Sequence, residues 1–85
     1  DLSDEMDDLD DTGHFLLRKS RFTDAVRVFE WIVSLYPQRA SAHTSLGNAY
    51  LAMDDVARAT ASYRRALDLD PTNTDAQNLL DRLGS

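Results

Sequence analysis

The sequence predicts an all-α protein, a solenoid of stacked antiparallel helical hairpins containing five helices. Three observations carry that prediction. Apolar residues recur with a helical rather than an alternating period along the 85 residues. Pro37 and Pro71 interrupt the pattern at equivalent points, 34 residues apart. The residues around them recur at the same interval. Gly47, Ala59 and Pro71 repeat Gly13, Ala25 and Pro37, while Tyr50 and Tyr63 take the places of Leu16 and Phe29.

Each element has its own signal. Leu2, Met6, Leu9, Gly13 and Leu16 form the first stripe. Ser3 is a fitting N-cap, and Asp4 and Glu5 suit the positive end of the helix dipole. This helix is expected to end near Lys19–Ser20. The second stripe is Phe22, Ala25, Val26, Phe29, Ile32, Val33 and Tyr36, and Pro37 stops it. A third helix is expected from about Arg39 to Met53, burying His43, Leu46, Gly47 and Tyr50. A fourth spans about Asp55 to Leu69, burying Val56, Ala59, Tyr63, Ala66 and Leu67, and Pro71 ends it. Thr72 or Thr74 can cap a short fifth helix carrying Ala76, Leu79, Leu80 and Leu83, with Gly84 as its stop. The connections are short, so neighbouring helices must run antiparallel.

The 34-residue period has a physical reading. A lone helical hairpin cannot bury both its faces, so the unit is copied and stacked. Small residues are expected where the two helices of a hairpin touch, Gly13 with Ala25 and Gly47 with Ala59. Large residues fill the space beside them. The expected organisation is one domain over residues 1–85, with units at about 6–39 and 40–73, a closing helix at about 74–84 and an acidic extension at 1–5. Two units are fewer than the three usually needed for stability, so the terminal segments or self-association must supply further burial.

Composition narrows the function classes. There is no cysteine, so no disulfide or thiolate metal site is available. No apolar run approaches the roughly 20 residues of a membrane span, and no secretory leader is recognisable. A soluble setting is expected, with the cytoplasm favoured. The net charge of −6 is unevenly spread: residues 1–11 hold seven of the fifteen acids and no base. Such an end repels nucleic acid and anionic membranes and tolerates a basic protein partner.

The second unit resembles the tetratricopeptide repeat. Leu46-Gly47, Tyr50, Ala59, Tyr63, Ala66 and the closing Leu69-Asp70-Pro71 match that family's signature, with His43 where its Trp is usual. The first unit keeps Gly13, Phe22, Ala25, Phe29 and Pro37, with Thr12 and Leu16 in place of the signature Leu and Tyr. The resemblance implies a protein–protein interaction scaffold, in which the first helix of each unit lines a concave groove for a peptide or partner domain. By helical phase that groove carries Asp7, Asp10, His14 and Arg18, then Ser41, Thr44, Asn48 and Leu51, then Asp75, Asn78 and Arg82. Asn48 matches an Asn that family members use to hold a peptide backbone or carboxylate. The family's clamp for C-terminal carboxylates needs Lys or Arg nearby, and Asp10 at the matching place disfavours that ligand.

A second surface is expected on the second helix, where Val28, Trp31 and Leu35 form an extra apolar stripe. The equivalents one unit later are Ser62, Arg65 and Leu69, so the repeat does not itself require the stripe. It suits a partner or a second copy, against local packing as the plainer explanation. The alternative function is a C-terminal accessory or oligomerisation module cut from a larger bacterial protein such as a hydrolase, which the missing initial Met fits. Asp7, Asp10, Asp11 and His14 lie on successive turns and could share a divalent ion. The calcium-loop pattern beginning at Asp8 fails at Lys19, however, and a solvated acidic helix start explains the cluster. No metal, cofactor or catalytic residue is predicted: Ser41 and Ser45 do not face His43, and no phosphate loop is present.

Overall fold

The computed structural model describes the backbone of residues 2–83 and the side chains of residues 8–83. It contains α1 (Leu2–Arg18), α2 (Phe22–Leu35), α3 (Ala40–Ala52), α4 (Val56–Leu69) and α5 (Thr74–Arg82). The described residues include no strand. The helix limits fall close to those set by periodicity and proline. The expected contributions of Leu2, Ser3, Asp4, Glu5, Met6 and Asp7, and the stop at Gly84, lie outside the described side chains and residues.

The repeat extends to the turns. α1 and α3 each end in a left-handed residue, Ser20 at φ 61° and Asp54 at φ 62°. Around them the hydrogen bonds are equivalent. The Arg21 N–H donates to the Leu16 carbonyl and the Ser20 N–H to that of Leu17, while Asp55 donates to Tyr50 and Asp54 to Leu51. Both are Schellman endings, which satisfy the last carbonyls of the helix and reverse the chain. The prolines build the other turn. Tyr36 and Asp70, each preceding a proline, are driven out of the helical region. Arg39 then donates back to Tyr36, and Asn73 to Asp70, both at 3.0 Å. These are β-turns with proline at the second position, where its fixed φ is an advantage.

α1 packs on α2, α3 on α4, α2 on α3 and α4 on α5. Within each hairpin a glycine lies directly against an aromatic ring of the facing helix. A Cβ on Gly13 would lie 2.5 Å from the Phe29 ring, and one on Gly47 would lie 2.6 Å from the Tyr63 ring. Periodicity pairs these glycines with Ala25 and Ala59. The nearest atoms in the structure belong to the aromatic ring four residues further on, and both alanines are fully buried in the same clusters as the rings. Phe29 and Tyr63 are likewise completely buried, so neither ring has room to retreat.

The core forms two adjoining clusters. Ala25, Val26, Phe29, Ile32, Ala42, Leu46 and Ala49 make the first, and Ala59, Tyr63, Ala66, Ala76 and Leu80 the second. Tyr50 touches both. α3 is buried on two sides, against α4 and against the preceding hairpin, and so hides Ala42, Ser45 and Ala49 as well as the expected His43, Leu46 and Gly47, while Tyr50, also expected inside, is half-buried between the two clusters. His43 takes its core position by donating from Nε2 to the Pro37 carbonyl at 3.1 Å, tying α3 to the proline turn. Val56, expected inside, is 41% exposed because it opens α4 at the tip of the second hairpin.

Caps differ between the equivalent helices. Asp55 caps α4 by accepting from the Arg58 N–H at 3.2 Å. Its counterpart Arg21 has almost the same backbone angles but makes no capping bond. α5 is capped by Asn73, which accepts from Ala76 at 3.1 Å, rather than by Thr72 or Thr74. Thr72 is held instead by the Asp70 carboxylate, and Thr74 is already the first helical residue. Arg21→Asp is therefore expected to stabilise the protein by about 1 kcal/mol, measured by urea unfolding. No gain would show that the uncapped α2 start is already satisfied by water.

Candidate functional site

The outward faces of α1, α3 and α5 share one wall. On α3 it consists of Ser41, Thr44 and Asn48, and on α5 of Asp75, Asn78 and Arg82, each set at i, i+3 and i+7. The corresponding α1 positions with described side chains are Asp10 and His14. Two open depressions follow this wall. One is lined by His14, Ser41, Thr44 and Asn48 together with the turn from Asp70 to Asp75. The other is lined by Thr44, Asn48, Asp75, Asn78, Leu79 and Arg82. Thr44, Asn48 and Asp75 border both, so the groove runs from α1 to α5.

Hydrogen bonds decide which groups remain available. The buried Tyr63 hydroxyl donates to Asn48 Oδ1 at 2.6 Å, which leaves the Asn48 amide as a donor toward the groove. Thr44 is committed: its hydroxyl donates to the Ala40 carbonyl and accepts from Asn73 Nδ2 at 3.1 Å. Asp10 is committed as well. It accepts from the Ser45 hydroxyl at 3.2 Å and pairs with His14 Nε2 at 3.3 Å. The His14 ring meets Phe29 edge to face, with centroids 5.2 Å apart. The order matters, because the carboxylate stands between serine and imidazole. A nucleophile–base pair needs those two groups in direct contact; here the three tie α1 to α3.

The remaining residues have plain positions. Arg18 is exposed in the last turn of α1. Leu51 packs into the second core cluster instead of standing free in the groove. Asp7 is outside the described side chains. Val28 is half-buried against the first cluster, while Trp31 and Leu35 are 56% and 50% exposed on the outside of α2. Helical phase alone does not place Ser45 or the loop residues Asp70, Thr72 and Asn73 in the groove, nor show that the buried Tyr63 supports Asn48 from behind it. The run of turn-forming residues beside Pro71 is the signal that could have added the loop. Among the described residues, no group of three or more His, Asp or Glu converges as a metal site. No described helix is long and apolar enough to cross a membrane.

Stacked hairpins with a polar groove along their first helices define a helical-repeat fold. The family model of the tetratricopeptide repeat matches residues 11–74, and the chain belongs to that family. It is 42% identical over 53 residues to the Hsp70-Hsp90 organizing protein of Triticum aestivum, covering 62% of this chain and 9% of that protein. It is 32% identical over 63 residues to heat shock protein STI1 of Saccharomyces cerevisiae, covering 74% of this chain and 11% of that protein. The chain thus spans about a tenth of the length of these relatives. Among solved structures, MamA from Desulfovibrio magneticus RS-1 superposes with a TM-score of 0.78 at 28% identity, over 84% of this chain and 40% of that one.

Burial raises the pKa of the Tyr63 phenol above its ordinary 10.0. Folding thus favours the neutral phenol. The associated stability is fully present below pH 10 and is lost as pH rises through the raised value. Tyr63→Phe is expected to cost roughly 1 kcal/mol at pH 8, through the lost bond to Asn48, and to flatten the decline between pH 8 and pH 11. Urea unfolding at both pH values measures this. An equally steep decline in the variant would place the alkaline sensitivity elsewhere, first at Tyr50, whose pKa burial and Glu30 also raise.

Proposed function

We propose that this chain is a binding module that holds an extended peptide, or an exposed segment of a partner protein, in the groove lined by α1, α3 and α5. The observation that carries this reading is the state of Asn48. Its oxygen accepts from a buried tyrosine hydroxyl, and its amide N–H groups are unspent beside an open groove. A peptide carbonyl is the natural acceptor for it. The groove also contains Asp70 and Asp75 against Arg82, which favours a partner with basic character over an acidic one. The names of the relatives fit: one is an organizing protein for two others. Their greater length also fits a role as one segment of a larger scaffold.

A second reading rests on α2. Trp31 and Leu35 expose large apolar surface where the equivalent positions in α4 are Arg65 and the half-buried Leu69. This surface would serve as an accessory or self-association face. The two readings separate in one experiment. Peptides are selected from a random display library on the immobilised domain, then titrated against Asn48→Ala and Trp31→Ala proteins. Groove binding requires that Asn48→Ala weaken the selected peptides about tenfold and that Trp31→Ala leave them unchanged. The opposite pattern, or dissociation of a dimer by Trp31→Ala in light scattering, moves the function to α2.

A further inference from the structure

We infer that the α3–α5 half of the groove selects an extended peptide that carries one cationic side chain and one carboxylate about three residues apart. This rests on the groove-binding reading and specifies its ligand. The reasoning starts from which groups in that half are unspent. Thr44 and Asn73 satisfy each other and the neighbouring backbone. The Asn48 oxygen already accepts from Tyr63, while the Asn48 amide N–H groups have no partner among the described residues. Among the described residues, neither the Asp75 carboxylate nor the Arg82 guanidinium has a hydrogen bond or ion pair, and the same holds for the Asn78 amide. The depression therefore presents one anion, one cation and two amides, beside the half-buried Leu79.

Their spacing is fixed by the helix. Asp75 and Arg82 are seven residues apart on one face of α5, which at 1.5 Å per residue separates them by about 10 Å. A peptide in the extended polyproline II conformation rises roughly 3.1 Å per residue with three residues per turn, so side chains three residues apart share one face and span about that distance. Charge screening at physiological salt acts over about 8 Å, so the two groups do not neutralise each other and each reads its own part of the ligand. Asn78 lies between them and Asn48 lies across on α3, where both can bond the peptide backbone joining the two charged residues. A ligand with two carboxylates would set one against Asp75, and one with two cations would set one against Arg82.

The test is an amide-shift NMR titration with blocked heptapeptides, each combined with single and double charge reversals of the protein. The first peptide is Gly-Ala-Arg-Ala-Ala-Glu-Gly. The others replace its Arg by Glu, giving two acids, or its Glu by Arg, giving two bases. The unaltered protein is expected to bind the mixed-charge peptide about three- to tenfold more tightly than either of the others, the range for two exposed ion pairs. Asp75→Lys should move the preference to the two-acid peptide, and Arg82→Glu to the two-base peptide. The double reversal should restore preference for mixed charge. Circular dichroism checks that each variant is folded, and both sites are exposed. If shifts gather on α3 and α5 but all peptides bind alike, or if the preference survives both single reversals, the charge-pair inference is overturned and groove binding stands. If no peptide perturbs α3 or α5, both fall.

Discussion

The seating of an aromatic ring on a glycine is the contact on which the rest of this structure depends. Phe29 occupies the space a Cβ would need on Gly13, and Tyr63 does the same at Gly47. A helix pair can approach this closely only where one side chain is absent. The gain is burial of an entire aromatic side chain, worth roughly 2–3 kcal/mol in apolar surface alone. The same pairing recurs 34 residues later, so the two hairpins share one geometry and their outer faces align into a single wall. The turns obey the same interval, with left-handed residues at Ser20 and Asp54 and proline turns at Pro37 and Pro71.

The same contact links core to groove. In the second hairpin the ring is a tyrosine, and its hydroxyl passes through to fix Asn48. In the first it is a phenylalanine with no hydroxyl to give. There His14, at the position equivalent to Asn48, lies edge-on to the ring and is held by Asp10. One frame thus presents two different polar groups. α3 sits between α1 and α5, tied to α1 through Ser45 and Asp10 and to the start of α5 through Thr44 and Asn73. These ties orient the wall without using its Asn48 amide, Asp75 or Arg82.

Much of the frame was legible because large residues and backbone breakers announce themselves. Pro37, Pro71, Gly13, Gly47, Phe29 and Tyr63 each leave a sequence signal that only one kind of structure explains. What stayed hidden involves small or polar residues. Ala42, Ser45 and Ala49 carry little hydrophobic contrast, so the second buried side of α3 did not show in its periodicity. The bond from Ser45 to Asp10 joins residues 35 apart, a pairing set by how the hairpins stack and invisible to local pattern. Asn73 outcompeted two threonines as the α5 cap because the proline turn places it at the cap position with its amide beside Thr44. Helical phase put Ser41, Thr44 and Asn48 on one face of α3 and Asp75, Asn78 and Arg82 on one face of α5, but it showed neither which of them were already bonded nor that Leu51 packs into the core.

The most direct measurement is a double-mutant cycle across the glycine–ring contact. Gly47→Ala, Tyr63→Leu and the double variant would be compared by urea unfolding, with Gly47→Ala plus Phe29→Leu as the unpaired control. An alanine at a free helical site would add about 1 kcal/mol of stability. Against the Tyr63 ring it should instead destabilise, and shrinking that ring should recover part of the loss, a coupling of about 1–2 kcal/mol. The control pair should be additive. Additivity in the Gly47 and Tyr63 cycle, or an alanine at position 47 that stabilises the unaltered ring, would contradict the claim that this contact sets the fold.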